Sequence, residues 1–119
     1  MEIWFNPSCS KCRTAVSTME TAGEPFTLRS YLETPPTEAE LDAVLHKLGM
    51  EPWELCRMNE PVAKELDLAS LPRDRARWLA VMAKNPILIQ RPILVRADGA
   101  AMIGRSEEAL REALDPAQR

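Results

Sequence analysis

Two cysteines, placed where a predicted strand gives way to a predicted helix, constrain this chain most. Residues 1–5 are apolar and aromatic, as in a buried strand, and Asn6-Pro7 ends them in a turn. Cys9-Ser10-Lys11-Cys12 follows, and apolar residues then recur at helical spacing as far as Gly23, a common helix C-cap. Because residues i and i+3 share a helix face, both cysteines are predicted on one face of the first turn.

This position prepares Cys9 for nucleophilic chemistry. The N–H groups and dipole of a helix N-terminus favour a thiolate, which is the reactive form of cysteine, and can hold an oxyanion. Lys11 and Arg13 are expected to add positive charge. Cys12 lies near enough to close a disulfide with Cys9, or to resolve a covalent intermediate formed there. The alternatives are that the pair fills apolar space or supplies half of a zinc site.

Zinc would need further cysteine or histidine ligands at matching spacing. Only Cys56 and His46 remain, and they are single and distant in sequence. We therefore predict no metal and no bound cofactor, with Cys56 filling the core and His46 near the surface.

Composition narrows the class of protein. The 119 residues have a hydrophobic fraction of 45%, enough for one compact domain, and a net charge of −3, which argues against bulk attraction to nucleic acid. We find neither a membrane-spanning apolar stretch nor a signal-peptide pattern. Three cysteines make a poor disulfide framework for a secreted protein. We therefore expect a cytoplasmic monomer with no membrane and no direct nucleic-acid partner.

The order of predicted elements indicates an α/β fold. Strands are predicted at residues 1–5, 25–32, 92–96 and 101–103, the last two joined by a turn at Asp98-Gly99. Helices are predicted from residue 8 or 9 to 22, at 37–48, 53–57, 61–66 and 72–84, and after Ser106. The order is βαβ, a helical insert at about 36–86, and ββα, in one domain of residues 1–119 with a frayed tail from Asp115. It is that of a thioredoxin-like domain with a mixed four-stranded sheet.

Four separated segments resemble signatures of the glutaredoxin-coupled arsenate reductase family, which also includes Spx-type regulators. They are residues 6–13, 31–36, 85–93 and 103–105, and they occur in the family's order. The resemblance implies arsenate or a related oxyanion as substrate. It also implies an external thiol reductant: glutathione with glutaredoxin, thioredoxin, or another small thiol. Finally, it implies a cis bond before Pro92, whereas sequence chemistry alone predicts trans.

The resemblance further implies a site built from one cysteine and three arginines. The matching positions are Cys9, Arg57, Arg91 and Arg105. Guanidinium groups suit charged tetrahedral oxygens and lower the pKa of a neighbouring thiol. Taken singly, each arginine could be an ordinary surface or loop residue. Supporting roles are assigned to Asn6, Lys11, Arg13 and Pro92.

Two departures from the family pattern keep other functions open. The family's reductases usually lack a cysteine at the position of Cys12 and tend to have histidine where this chain has Phe5, whereas Spx-type regulators use a CxxC pair as a redox switch. Arg105 favours a reductase, because Spx-type proteins lack that arginine. The hypotheses are an arsenate reductase whose Cys9 adduct is resolved by Cys12 or an external thiol, a redox-sensing module that binds RNA polymerase, a general disulfide reductase, and an inactive family member.

Overall fold

The computed structural model describes residues 1–115, and the chain divides into two compact units. The first joins Met1–Thr34 to the chain from Arg91 onward, and the second is Pro35–Gln90. The single domain expected for residues 1–119 stays a prediction. A frayed tail was predicted from Asp115 onward. Residues 116–119 of that tail lie outside the described residues.

The elements follow the predicted order. They are β1 (Glu2–Trp4), α1 (Ser10–Ala22), β2 (Thr27–Arg29), α2 (Glu38–Leu48), α3 (Pro52–Leu55), α4 (Pro61–Glu65), α5 (Arg75–Lys84), β3 (Ile93–Val95), β4 (Ala101–Ile103) and α6 (Glu107–Leu114), with 3₁₀ turns at Leu68–Ser70 and Pro86–Leu88. Every described element between β2 and β3 is helical, as expected for the insert. Within residues 1–115, no helix is both long and apolar enough to cross a lipid bilayer.

The four strands form one mixed sheet in the first unit, with the order β2-β1-β3-β4. Strand β1 runs parallel to β2 and antiparallel to β3, and β3 pairs antiparallel with β4. The α/β class and the mixed sheet are therefore confirmed. The strand predicted at residues 25–32 is shorter than expected, because the Glu33 and Thr34 N–H groups both donate to the Ser30 carbonyl and turn the chain away from the sheet.

Helices α1 and α6 supply the core of the first unit together with the sheet. Ile3 and Leu94, which are opposite each other on β1 and β3, are fully buried. The cluster is completed by residues from the two helices, Ala15, Met19, Leu110 and Ala113. This packing holds α1, whose N-terminal end is next to Cys9, against the sheet.

Gly104 joins β4 to α6 at a point of close approach. Its N–H donates to the Pro92 carbonyl at 2.9 Å. A Cβ added there would lie 2.9 Å from Leu94 Cδ1 and 3.2 Å from Leu110 Cδ2. Both leucines belong to the core, so a side chain at this position must push them aside.

We expect Gly104→Ala to lower the free energy of unfolding by about 1–3 kcal/mol, because it overpacks the core. Urea denaturation of the wild type, both single variants and the Gly104→Ala/Leu94→Ala double variant measures the effect. If crowding against Leu94 is the cause, shortening that side chain relieves it, and the double variant loses less stability than the two single losses added together. A simple sum of the two losses would contradict the assignment.

In the second unit, α2 begins where a capping box formed by nearby residues predicts it to begin. Thr37 Oγ1 accepts from the Glu40 N–H, and Glu40 Oε1 accepts from the Thr37 N–H, which completes the predicted capping box. Leu41, Val44 and Leu45 are buried as expected. The helix predicted from residue 72 begins instead at Arg75, because the Asp74 carboxylate accepts from the Ala76 N–H and caps it there.

Candidate active site

A buried asparagine shapes the loop between β1 and α1. Asn6 is only 4% exposed. Its side-chain Oδ1 accepts from the Ser8 N–H at 3.0 Å, and its carbonyl accepts from the Cys9 N–H at 3.0 Å. The loop therefore closes on itself and sets Cys9 as the N-cap of α1, with φ −96° and ψ 122°. The predicted placement of Cys9 at a helix N-terminus is confirmed.

The Cys9 thiol is half-buried and carries a lowered pKa. Burial alone would raise the pKa, but hydrogen bonds outweigh it. They come from the backbone N–H of Cys12, the side chain of Arg91, the thiol of Cys12 and the backbone N–H of Lys11, and they bring the pKa to about 7. A large share of Cys9 is therefore thiolate near neutral pH.

Cys12 has the opposite character. It is fully buried, and its Sγ accepts from the Asn6 N–H at 3.5 Å. Burial, together with the negative charge on Cys9, raises the pKa of Cys12 to about 11 although the Asn6 hydrogen bond acts against it. Neither cysteine is in a disulfide bond. The pair is thus divided into an attacking thiolate and a thiol that donates to it.

The pKa values predict how fast each cysteine reacts with iodoacetamide. Alkylation of Cys9 is expected to rise about tenfold per pH unit below pH 7 and to level off above it, because only the thiolate reacts. Burial raises the pKa of Cys56 to about 11, so it and Cys12 contribute little below pH 9. Digestion that leaves Lys11 uncleaved, followed by fragmentation of the peptides in the mass spectrometer, assigns the label to each cysteine. An inflection at pH 8.5 or above for Cys9 would contradict the assigned hydrogen bonds.

Two of the predicted arginines lie in the same unit as Cys9 and are linked to it. The Arg91 side chain donates a hydrogen bond to the Cys9 sulfur. Arg105 Nη1 donates to the Arg91 carbonyl at 2.8 Å. The peptide bond between Arg91 and Pro92 is cis, as the resemblance implied and against the expectation from sequence chemistry. The structure thus brings one thiolate and two guanidinium groups into a connected network.

Arg57 lies in the second unit, in the segment after α3, and its guanidinium is held on two sides. Nε donates to Glu60 Oε1 at 3.1 Å, and Nη1 donates to Gln90 Oε1 at 2.8 Å. The side chain is only 17% exposed, and the Arg57 N–H donates to the Leu88 carbonyl. Its orientation within the unit is therefore fixed. Its part in the Cys9 site stays a prediction.

Sequence reasoning missed the two residues that hold Arg57. Glu60 could have been found from its i+3 spacing, at which opposite charges commonly pair. Gln90 gives no such signal, because it is 33 residues away along the chain.

The two charges expected to support Cys9 do so less directly than predicted. Lys11 is exposed and contributes its backbone N–H, while Arg13 Nη1 donates to the Pro7 carbonyl at 2.9 Å and braces the loop. The hydrogen bonds that lower the Cys9 pKa involve neither side-chain charge. The positive group at the sulfur is Arg91, which is distant in sequence.

The remaining sequence-predicted candidates fit ordinary roles. Cys56 is buried and pairs with Ile89 in an isolated antiparallel bridge within the second unit. His46 is exposed, with Nε2 at 3.5 Å from Asp42 Oδ2. In the part of the chain that the structure describes, no three His, Cys, Asp or Glu side chains are grouped so as to hold a metal ion. The chemistry that the site offers is thus nucleophilic attack by sulfur beside guanidinium groups that bind oxyanions.

Comparison with known proteins finds relatives that match almost the whole chain. A family model described as the ArsC family matches residues 4–113. A Streptomyces viridochromogenes protein described only as an uncharacterized protein in the glnII region is 49% identical over 117 residues, covering 96% of this chain and 98% of that protein. An arsenate reductase of Neisseria meningitidis serogroup A is 36% identical, covering 96% of this chain and 97% of that protein.

A solved structure gives the same result for the fold. The arsenate reductase from Vibrio cholerae superposes with a TM-score of 0.87 at 36% identity, covering 95% of this chain and 98% of that one. The predicted thioredoxin-like fold is therefore confirmed.

Proposed function

The chain belongs to the ArsC family, and on that premise we propose that it is an arsenate reductase acting through the Cys9 thiolate and an external thiol. The observation that carries the proposal is the hydrogen bond from Arg91 to the Cys9 sulfur at the N-terminus of α1. This contact joins a nucleophile with a pKa of about 7 to a guanidinium that binds tetrahedral oxyanions. Cytoplasmic location and a monomeric state belong to the same proposal.

The first step is attack by the Cys9 thiolate on the arsenic of arsenate. An S–As bond forms, and one arsenate oxygen leaves as water after it takes up a proton. Arg91 stands at the sulfur, and Arg105 is anchored on the Arg91 carbonyl, so both can offer N–H groups to the remaining oxygens. Arg57 would complete the set implied by the resemblance. Arsenic is still in the +5 state in this adduct.

The second step reduces the arsenic. A second thiolate attacks the Cys9 sulfur, an S–S bond forms, and the S–As bond breaks with its electron pair going to arsenic. The arsenic leaves as arsenite in the +3 state, and two sulfur atoms have been oxidised to a disulfide. A further thiol then reduces that disulfide and restores Cys9.

The structure favours an external thiol over Cys12 in the second step. Cys12 is fully buried and, with a pKa of about 11, is almost entirely protonated at neutral pH. Its hydrogen bond from the Asn6 N–H also holds it in the interior of the loop. Thiol exchange requires an accessible thiolate, so Cys12 is the poorer candidate.

Arsenite production by the purified reduced protein tests the proposal. Arsenate is supplied with each of three donors in parallel: glutathione with glutaredoxin, thioredoxin with its reductase, and a small thiol alone. We expect turnover with at least one donor. Absence of arsenite with every donor would overturn the proposal.

The Cys12→Ser variant separates the two routes of resolution. Because an external thiol does not need Cys12, we expect kcat to stay within about threefold of the wild-type value under the same donor. Serine keeps the size of the side chain and can still donate a hydrogen bond to Cys9. A loss of about a hundredfold or more would assign resolution to Cys12.

The hydrogen bond from the Cys12 thiol to Cys9 also supports a second candidate function. Two sulfurs already in contact need little movement to form a disulfide, which is what a redox-sensing regulator requires. Rapid Cys9–Cys12 oxidation by peroxide, together with no arsenite from any donor, would favour a regulator that binds RNA polymerase. Reduction of general disulfide substrates without arsenite would favour a disulfide reductase.

A further inference from the structure

A pocket of about 190 Å³ lies within the second unit, where two tryptophans meet. Trp53 of α3 and Trp78 of α5 pack edge to face, with their ring centroids 6.2 Å apart. The rest of the lining comes from the segment between these helices: Met58, Leu68, Ala69, Leu71 and Arg73. None of the residues that the proposed reaction uses lines this pocket, so it is available to a ligand.

The apolar walls of the pocket are partly in contact with water. Met58 is 39% exposed and Trp53 is half-buried, whereas Leu68 and Trp78 are buried. Apolar surface left open around a concavity is typical of a ligand site. The volume suits a ligand with one ring, since a dry apolar cavity of about 150 Å³ is large enough to bind benzene.

One positive charge adjoins this apolar surface. Arg73 is the single charged residue among the described lining residues, and its Cζ lies 5.7 Å from the centroid of the Trp53 ring. Arg75 and Arg77, which follow it in the chain, each have a carboxylate partner. Arg73 has none within residues 1–115. Stacking on the ring holds the guanidinium at the pocket and leaves its N–H groups for an anion.

Trp53 has a second donor without a partner. The indole N–H of Trp4 donates to the Glu2 carboxylate and that of Trp78 donates to the Pro72 carbonyl, both at 2.9 Å. Among the described residues, none accepts from the indole N–H of Trp53. A partly buried indole N–H usually has an acceptor. The pocket therefore combines aromatic and apolar walls with lining residues whose donors are not used inside the protein.

We propose that this pocket binds a small aromatic carboxylate, a molecule with one planar ring and one carboxylate group. The ring packs on the tryptophans and on the Met58 thioether, both of which make favourable contacts with aromatic rings. The carboxylate accepts hydrogen bonds from the Arg73 guanidinium. This inference goes beyond the proposed reductase activity and assigns a ligand site to the helical insert.

Phenylacetate is the probe, and phenylacetamide is an uncharged counterpart of the same size. The chain has three tryptophans, so isotope labelling of the indole nitrogens gives three N–H signals in an NMR spectrum, which are assigned by replacing each tryptophan with phenylalanine in turn. We expect phenylacetate to shift the Trp53 and Trp78 signals saturably, with a Kd in the millimolar range typical of so small a ligand. The Trp4 signal should stay in place, because Trp4 is outside the lining. Phenylacetamide should bind about fivefold more weakly, because it lacks the charge.

Arg73→Gln removes the positive charge from the pocket. We expect it to weaken phenylacetate binding about fivefold and to change phenylacetamide binding less than about twofold. Arg77→Gln is the matched control, because Arg77 is an exposed arginine of the same unit that lies outside the lining. It should change the affinity for either probe less than about twofold, since an exposed charge farther away is screened by solvent.

Ala69→Phe fills the pocket with a ring of the protein's own. Ala69 is exposed and lines the pocket, so we expect this variant to weaken the binding of both probes at least about tenfold. Ala76→Phe is its control, because Ala76 is equally exposed in α5 and lies outside the lining.

Four results would overturn the inference. They are the absence of any saturable shift, equal affinities for the two probes, an equal loss in both arginine variants, and unchanged binding in Ala69→Phe. Because Arg73→Gln changes an exposed residue, it keeps the test decisive even if Ala69→Phe fails to fold. The assay contains no arsenate, so its outcome is independent of the arsenate reductase proposal.

Discussion

Cys9→Ser protein is expected to produce arsenite at less than about a thousandth of the wild-type rate, because a serine hydroxyl is not ionised near neutral pH and is a far weaker nucleophile. The loss should appear with every donor, since attack on arsenate precedes any contact with the reductant. Arsenite measured under saturating arsenate and donor gives the ratio directly.

The fold should survive this substitution. Cys9 is half-buried rather than packed in the core, and its N-cap position in α1 suits serine well. Equal thermal unfolding midpoints for the variant and the wild type would show that the loss is chemical. Arsenite production at an undiminished rate by the folded variant would remove Cys9 from the mechanism.

Arg91→Ala is expected to lower kcat/KM for arsenate by about a hundredfold to a thousandfold, the usual cost of losing a donor at developing charge. It should also raise the pKa of Cys9, because the hydrogen bond that the Arg91 side chain gives to the sulfur disappears. The pH profile of Cys9 alkylation then shifts to higher pH. Arg105 keeps its anchor in this variant, since it is bound to the backbone carbonyl of residue 91.

Two companion variants make the Arg91 result specific. Arg91→Lys keeps the positive charge but loses the planar guanidinium that can donate two parallel hydrogen bonds. Its activity should therefore lie between that of the wild type and that of Arg91→Ala. Arg77→Ala removes an exposed arginine from α5 in the other unit and should leave both the pH profile and kcat/KM within about twofold. A Cys9 pKa that stays near 7 in Arg91→Ala would contradict the role given to this side chain.

Local signals allowed most of the fold to be predicted from sequence. Gly23 and Gly49 end their helices in the left-handed conformation, at φ 70° and 67°, where glycine has no Cβ to clash. The Thr37 capping box and the Ser106 cap act over three residues. Each of these helix ends is determined by residues a few positions away in the chain, so it can be predicted from a single sequence.

Local sequence signals could not identify contacts between residues that are distant along the chain. Sequence neighbours suggested that Lys11 and Arg13 supply the charge at Cys9, but the side chain that reaches the sulfur is Arg91. Gln90 likewise binds Arg57 across 33 residues. Such contacts depend on how the chain folds back, which local propensity does not specify. The resemblance to a family pointed to Arg91, whereas periodicity and composition did not.

The unequal acidity of the two cysteines has a consequence for the oxidised protein. When a thiolate attacks one sulfur of a disulfide, the other sulfur is expelled, and it leaves faster when the pKa of its thiol is low. Reduction of a Cys9–Cys12 disulfide at the accessible Cys9 sulfur would expel the Cys12 thiolate, and the burial that raises the pKa of Cys12 makes it a poor leaving group. Attack at Cys12 would expel the better leaving group, but that sulfur is fully buried. Once formed, the disulfide would therefore be reduced slowly, and oxidised molecules would stay inactive for long after oxidation.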